Sequence, residues 1–352
     1  MPMAAHPQFM RRCLELASLG RWSVGNGALV GAVLVREGKI IAEGYHACFG
    51  APHAERMLLD SFTESILSSD ILYVNLEPCC HTGKTPPCTD IILDRGVRHV
   101  VYGIQDPDSR VTGKGIELLQ EKGVRVEGPI LRAECEYLSR GFLTVRTKSR
   151  PYITLKMAQN RSGFISNADG SPLKITSEEQ DIWSHTWLRA KNDAILVGVQ
   201  TIMSDNPLLN TRLAQRDEIS IQSGLNTNLN NLSNKKLIQK EPLRIFLDPQ
   251  FRISEEARVC DVSAQPTLVC ISPEAEKKNK AKADVLRSRG VKVCIVAIDQ
   301  SGAFEWASLW KTLLTPVSGF DGITSILVEG GARTWKYFQD AGMVDEQVTL
   351  LG

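Results

Sequence analysis

No run of apolar residues in this chain approaches the roughly 18 that a bilayer-crossing helix needs. Residues 1–12 carry no hydrophobic core ahead of their first arginines, so no secretory leader is expected either. Charge of one sign is also missing. The 41 basic and 40 acidic residues leave a formal net charge of +1, which argues against an extended nucleic-acid surface while leaving room for a local basic pocket. Nine cysteines are too sparse and too uneven for a secreted disulfide framework. Of these, Cys13, Cys48, Cys135, Cys260, Cys270 and Cys294 stand alone and read as small buried hydrophobes. Internal repeats are absent, and no G-x-G-x-x-G follows a strand-like run after residue 151, so a Rossmann dinucleotide site is not supported. These absences point to a soluble, cytoplasmic protein with neither nucleic acid nor membrane as its expected partner.

What remains is ordinary globular material: 352 residues, 43% hydrophobic and 23% charged, enough for two domains with sizeable cores. Apolar periodicity predicts a helix over 8–19, a strand over 29–34, and a second strand from Ile40 after the polar turn 36–39, together a hairpin. A helix over 53–62, a strand over 71–76, a helix over 88–95, a strand over 97–104 and a helix over 115–122 follow. Strands alternating with helices indicate an α/β layered fold. The basic stretch 146–151 reads as a linker, dividing the chain into domains 1–146 and 147–352. Beyond it the pattern restarts with a strand over 152–157, a helix over 177–190 and a strand over 194–199. Five asparagines between Asn226 and Asn234 mark a solvated insertion. Strands resume over 243–247, 267–271, 291–296 and 323–328.

One constellation carries chemistry. Pro52-His53-Ala54-Glu55 precedes Glu77-Pro78-Cys79-Cys80-His81-Thr82-Gly83-Lys84-Thr85-Pro86-Pro87-Cys88, the order of a zinc deaminase. One imidazole and two thiolates suit Zn²⁺ and leave a fourth position for water, whose pKa the metal brings towards neutrality. His53, Cys79 and Cys88 are the candidate ligands; Cys80 competes with Cys79, which is preferred because it directly follows Glu77-Pro78. Glu55 is the candidate catalytic acid–base, about 200° round a helix from His53, with both in reach of one pocket from the first turn. Two weaker signals lie downstream: Gly198 to Pro207, and Leu327-Val328-Glu329-Gly330-Gly331-Ala332, a strand entering a helix through paired glycines that let backbone amides approach a phosphate.

Taken together these segments closely resemble the bifunctional deaminase/reductase family of riboflavin biosynthesis, through the eight-residue loop between Cys79 and Cys88, through Gly44-Tyr45-His46, Asp106-Pro107 and Arg140-Gly141-Phe142, and through the two downstream segments. The resemblance implies a cytidine-deaminase-like zinc domain followed by a dihydrofolate-reductase-like α/β domain. It implies deamination of a phosphorylated diaminopyrimidinone riboside, then NADPH-dependent reduction of its ribosyl group to a ribityl chain. His46, Lys84 and Thr85 are the implied substrate contacts in the first half. In the second, Thr176, Arg189, Leu209, Arg212 and Glu329 would surround the substrate, with Arg189 and Arg212 suited to its phosphate. Ala158, Thr201, Asp205 and Gly331 would meet NADPH. The chain departs from the family at Gly27, where an asparagine is usual; at Asn160-Arg161-Ser162-Gly163, which lacks an aspartate; and at Lys174, which replaces a tryptophan. It also stops within a strand, so an incomplete reductase edge, covered in a homo-oligomer, is expected. Rival readings are an enzyme with one live half, the deaminase, and a catalytically silent binding protein that keeps the fold.

Overall fold

Along the first strand, β1 (Gly31–Arg36), Val33 and Val35 alternate with Ala32 and Leu34, and all four are buried. Successive strand residues face opposite sides of a sheet, so such a strand needs apolar cover on both. On one face Met10, Cys13 and Leu16 of α1 (Pro7–Ser18), with Cys135 and Phe142 of α5 (Arg132–Lys148), pack over Val33, Val35 and Tyr73. On the other, Leu58 and Leu59 of α2 (Ala54–Ser61), Ile91 and Ile92 of α3 (Cys88–Asp94) and Leu119 of α4 (Lys114–Glu121) pack over Ala32 and Leu34.

The computed structural model describes residues 7–83, 85–107, 112–164, 173–211, 241–315 and 322–352; the asparagine-rich stretch, Lys84 and Arg212 lie outside them. The chain divides into two compact units, Met1–Arg150 with Pro316–Thr324, and Pro151–Thr315 with Ser325–Gly352. In the first, β2 (Lys39–Tyr45), β3 (Ile71–Leu76), β4 (His99–Ile104) and β5 (Arg125–Glu127) join β1 in a five-stranded sheet of order β2-β1-β3-β4-β5. β1 runs antiparallel to β2 and β3, while β3, β4 and β5 are parallel. The β1–β2 hairpin turns through Glu37 and Gly38, both at positive φ (50° and 76°), the backbone that matches the twist of paired strands. Asn75, fully buried on β3, accepts the Gly31 N–H at 2.8 Å and donates to the Leu29 carbonyl at 2.9 Å, fixing the entry to β1.

The second unit is a seven-stranded sheet of order β10-β9-β8-β7-β11-β6-β12 in which every pairing is parallel. Its strands are β6 (Tyr152–Gln159), β7 (Ala194–Gly198), β8 (Leu243–Leu247), β9 (Thr267–Ile271), β10 (Lys292–Ile295), β11 (Ser325–Val328) and β12 (Glu346–Leu351). Parallel strands need helical crossovers and are buried on both faces; β8 and β9 are buried along their whole length. The crossovers include α6 (Glu178–Trp183), α7 (Val199–Asp205), α8 (Pro273–Lys278), α9 (Lys280–Ser288), α10 (Trp306–Leu314) and α11 (Ala332–Asp340). β11 inserts between β6 and β7, so the C-terminal ends of β7 and β11 lie side by side. No helix among the described residues is long and apolar enough to cross a membrane.

Several features differ from the sequence reading, among them Cys48, which is exposed rather than buried. Helix α5 was not expected, because its buried positions include Ser139, Arg140, Gly141 and Thr144, which break the apolar period. Its last turn takes in Arg146 to Lys148, so half of the basic stretch read as a linker is helical, and the helix stops at Ser149 in a left-handed conformation (φ 54°). The helix expected over 177–190 changes pitch: α6 ends at Trp183, a π turn covers Ser184–Leu188, and a 3₁₀ turn covers Arg189–Lys191. Its start is a capping box in which the Gln180 N–H reaches the Ser177 hydroxyl at 3.2 Å and the Ser177 N–H reaches the Gln180 side chain at 3.0 Å.

Gly44 on β2 lets α2 approach the sheet: a Cβ there would meet the Ala54 carbonyl at 2.5 Å and the Leu58 nitrogen at 2.9 Å. Gly44→Ala is therefore expected to destabilise the N-terminal unit by about 1–3 kcal/mol through overpacking, measured as a lower urea midpoint. An unchanged midpoint would mean that α2 gives way without cost.

Candidate active sites

Two helix starts and one strand exit converge in the N-terminal unit. His53 is the N-cap of α2 in an extended conformation, just outside the helix rather than in its first turn, and Glu55 follows inside that turn. Cys88 opens α3 after Pro87. Cys79 follows β3 through Glu77 and Pro78. The structure brings His53, Cys79 and Cys88 together: their donor atoms lie within 4.8 Å of one another, with His53 Nδ1 3.5 Å from Cys79 Sγ and 3.4 Å from Cys88 Sγ. Cys80 is half-buried and outside this cluster, and burial raises its thiol pKa. A hydrogen bond with the Cys88 thiol, then one with His53, lowers the Cys79 pKa to about 4. The Cys88 N–H also points at that sulfur, at 3.4 Å.

Glu55 is 3% exposed, and burial pushes its carboxyl up to about 7. It lines a cavity of about 270 Å³ with His46, His53, Cys79, Thr85 and Asp106. His46 sits edge-on to His53, ring centres 5.4 Å apart, with its Nδ1 3.2 Å from the Pro52 carbonyl; burial lowers its pKa. Gly27 lines the cavity, whereas the Asn26 side chain packs against the backbone of Gly322.

Sequence reasoning passed over Glu77 as part of a signature. Its buried carboxylate accepts backbone N–H groups from Gly113 and Gly115 at 3.0 Å, Asp106 at 3.3 Å and Ile116 at 3.4 Å. Burial still raises its pKa, with those donors opposing the shift.

In the C-terminal unit Glu329 leaves β11 where β7 also ends, and its N–H bonds the Leu196 carbonyl at 2.9 Å. Arg189 reaches it with two parallel bonds, Nε to Oε1 at 2.9 Å and Nη2 to Oε2 at 2.6 Å, while Nη1 donates to the Asn210 carbonyl at 2.6 Å. The guanidinium fork that was read as a phosphate contact is thus occupied by a carboxylate. Burial alone would raise the Glu329 pKa, but Arg189 and, further off, Lys156 hold it down to about 2. Gly331 caps α11, and a Cβ there would meet nothing within 4 Å, whereas one on Gly330 would meet the Thr334 Cβ at 2.5 Å. The glycine pair is thus packed on one side and open on the other.

The remaining candidates are dispersed. Thr201 and Asp205 lie on α7, which leaves the neighbouring strand end, and Ala158 is half-buried on β6. Leu209 is buried at positive φ (54°). Thr176 donates to Asp181 at 2.5 Å, and Lys174 pairs with the same carboxylate. The atypical Asn160 builds its own turn, its Oδ1 accepting the N–H groups of Ser162 at 3.0 Å and Phe164 at 2.9 Å.

Known proteins resemble the chain along nearly its whole length. A family model described as the cytidine and deoxycytidylate deaminase zinc-binding region matches residues 3–104, and one described as the RibD C-terminal domain matches residues 151–351. The riboflavin biosynthesis protein RibD of Aquifex aeolicus is 35% identical over 97% of this chain and 85% of its own length. The Escherichia coli protein of the same name is 31% identical over 97% and 86%. A crystal structure of a diaminohydroxyphosphoribosylaminopyrimidine deaminase/5-amino-6-(5-phosphoribosylamino)uracil reductase from Thermotoga maritima superposes with a TM-score of 0.74 at 31% identity, covering 98% of this chain and 86% of that one.

The Arg189–Glu329 pair predicts a pH signature. The folded Glu329 pKa, about 2, lies below its ordinary 4.5, so its stabilisation is complete above about pH 4.5 and is lost as pH falls through about 2. Glu329→Gln leaves a buried guanidinium without its partner and is expected to cost about 3–5 kcal/mol near neutrality. Unfolding measured across that acid window should then lose part of its pH dependence; an identical acid limb in the variant would contradict the pairing.

Proposed function

This chain belongs to the riboflavin-biosynthesis deaminase/reductase family, and on that footing we propose which of its residues run the two reactions. It is a bifunctional enzyme, with a zinc-dependent deaminase domain followed by an NADPH-dependent reductase domain. The substrate we assign is a phosphorylated diaminopyrimidinone riboside, deaminated in the first half and reduced at its ribosyl group in the second. The activities named for the Thermotoga maritima relative support this. Residues 1–146 form the deaminase and 147–352 the reductase. We place the enzyme in the cytoplasm as a homo-oligomer acting on a small molecule rather than nucleic acid. Near-zero net charge, nine free cysteines and the position of β12 at the edge of the sheet among the described residues support that reading.

The observation that carries the deaminase assignment is the convergence of His53, Cys79 and Glu55 on one cavity, with Cys88 beside them. One imidazole nitrogen and two sulfurs form a donor set that fits zinc. Zinc, when bound, supplies the Lewis acidity that makes a water molecule nucleophilic near neutral pH. Glu55 takes the proton of the attacking water on a carboxylate oxygen. It delivers protons to the ring nitrogen and then to the departing amine, so water enters and ammonia leaves. His46, Thr85 and Lys84 orient the pyrimidine.

In the reductase, the open face of Gly331 at the start of a nine-residue helix fits a cofactor phosphate, with Ala158, Thr201 and Asp205 as further contacts. NADPH, when bound, supplies the hydride that turns the ribosyl group into a ribityl chain. Arg189 holds Glu329 at the strand ends, and Thr176, Leu209 and Arg212 complete the substrate side, leaving Arg212 to meet the phosphate.

Elemental analysis is expected to find one zinc per chain, retained in Cys80→Ser and mostly lost in Cys79→Ser; the reverse would exchange the two cysteines. Glu55→Gln should keep the metal while ammonia release falls by about 10²–10⁴-fold. NADPH oxidation on the deaminated nucleotide should persist in the same protein. Near-normal deamination would refute the proton shuttle, and loss of zinc would move Glu55 into the coordination shell.

A further inference from the structure

The deaminase cavity holds a charge that the chemistry above does not use. Its reactive end is buried, with Glu55 at 3% exposure. Arg146, in the last turn of α5, lines the same cavity but is exposed, so it stands at the mouth. Its guanidinium lies 5.3 Å from the ring centre of Phe142, a buried residue that also lines the cavity, and no carboxylate pairs with it among the described residues. Of the described lining residues it alone carries a permanent positive charge. Of the carboxylates that line the cavity with it, Glu77 is committed to four backbone N–H groups and Glu55 lies at the buried end.

We propose that Arg146 binds the 5′-phosphate of the pyrimidine nucleotide on which the deaminase acts, and thereby sets the preference of this site for phosphorylated over unphosphorylated ribosides. The inference rests on the deaminase reading. The ring to be deaminated has to reach Glu55 and His53 at the buried end. In a nucleotide the phosphate sits across the ribose from the ring, so it faces the mouth. A phosphate dianion leaving bulk water needs a cation there, and a guanidinium meets two of its oxygens with parallel hydrogen bonds. The Phe142 ring, 5.3 Å away, attracts the guanidinium through its π face without using up its N–H groups, which remain for the ligand.

The test compares wild-type, Arg146→Ala and Arg146→Lys full-length, zinc-loaded protein on the phosphorylated aminopyrimidine riboside and on its dephosphorylated form, by ammonia release. In parallel, calorimetry measures binding of the deaminated nucleotide and its dephosphorylated counterpart. Arg146→Ala is expected to lose about ten- to hundredfold of the preference for the phosphorylated compound, chiefly through KM. Arg146→Lys should fall between, and zinc content should be unchanged. A preference equal to wild type in Arg146→Ala would overturn the assignment and give the phosphate to another group, as would equal losses on both compounds. A wild-type protein that releases no ammonia from either compound would overturn the deaminase reading. The calorimetric preference and its loss in Arg146→Ala would then decide the phosphate site by itself.

Discussion

Four backbone N–H groups, from Asp106, Gly113, Gly115 and Ile116, converge on the buried carboxylate of Glu77, and the deaminase cavity depends on that convergence. An anion taken out of water must be fully hydrogen-bonded to be tolerated. Here the donors include the otherwise unsatisfied first amides of α4, so one side chain ties the exit of β3 to the start of a helix. The fit is tight: a Cβ on Gly115 would lie 2.1 Å from the Pro78 carbonyl. Two residues past Glu77 comes Cys79, whose carbonyl accepts the Thr89 N–H at 3.1 Å and so fixes α3, which begins with Cys88. The approach of the two sulfurs thus rests on the Glu77 clamp behind Cys79 together with the Cys79–Thr89 bond and the Cys88 N–H that reaches the Cys79 sulfur.

The C-terminal unit solves a related problem with the opposite electrostatics. Glu77 is held by neutral amides and its carboxyl is pushed up by burial; Glu329 is held by a guanidinium and pushed down to about 2. The first arrangement stitches backbone to backbone. The second keeps a fixed pair of charges where two parallel strands end, the place where open α/β sheets commonly bind ligands.

What the sequence made legible was local chemistry. His53, Glu55, Cys79 and Cys88 stand out because a metal and a proton carrier demand particular residue types at short spacing. Short, mostly apolar runs likewise marked β3, β8 and β9. The Glu77 clamp left no such trace, because its partners are amides that any residue but proline can supply. Arg189 and Glu329 were each singled out, but their pairing across 140 residues was not, since only the crossed order of β6, β11 and β7 joins them. Arg146 was hidden in a stretch that looked like a connector, because α5 buries polar side chains and conceals its own period.

The placement of β6 also bears on how the protein is made. Among the described residues its neighbours in the sheet are β11 and β12, which lie about 170 residues or more further along the chain. At a synthesis rate of roughly 5–20 residues per second, the Tyr152–Gln159 segment waits on the order of ten seconds or longer with both hydrogen-bonding edges open. The N-terminal sheet, whose strands all lie between Gly31 and Glu127, can pair long before then. The nascent reductase half is thus the stage at which a chaperone has most to shield, and its yield depends on how soon β11 and β12 follow β6 out of the ribosome.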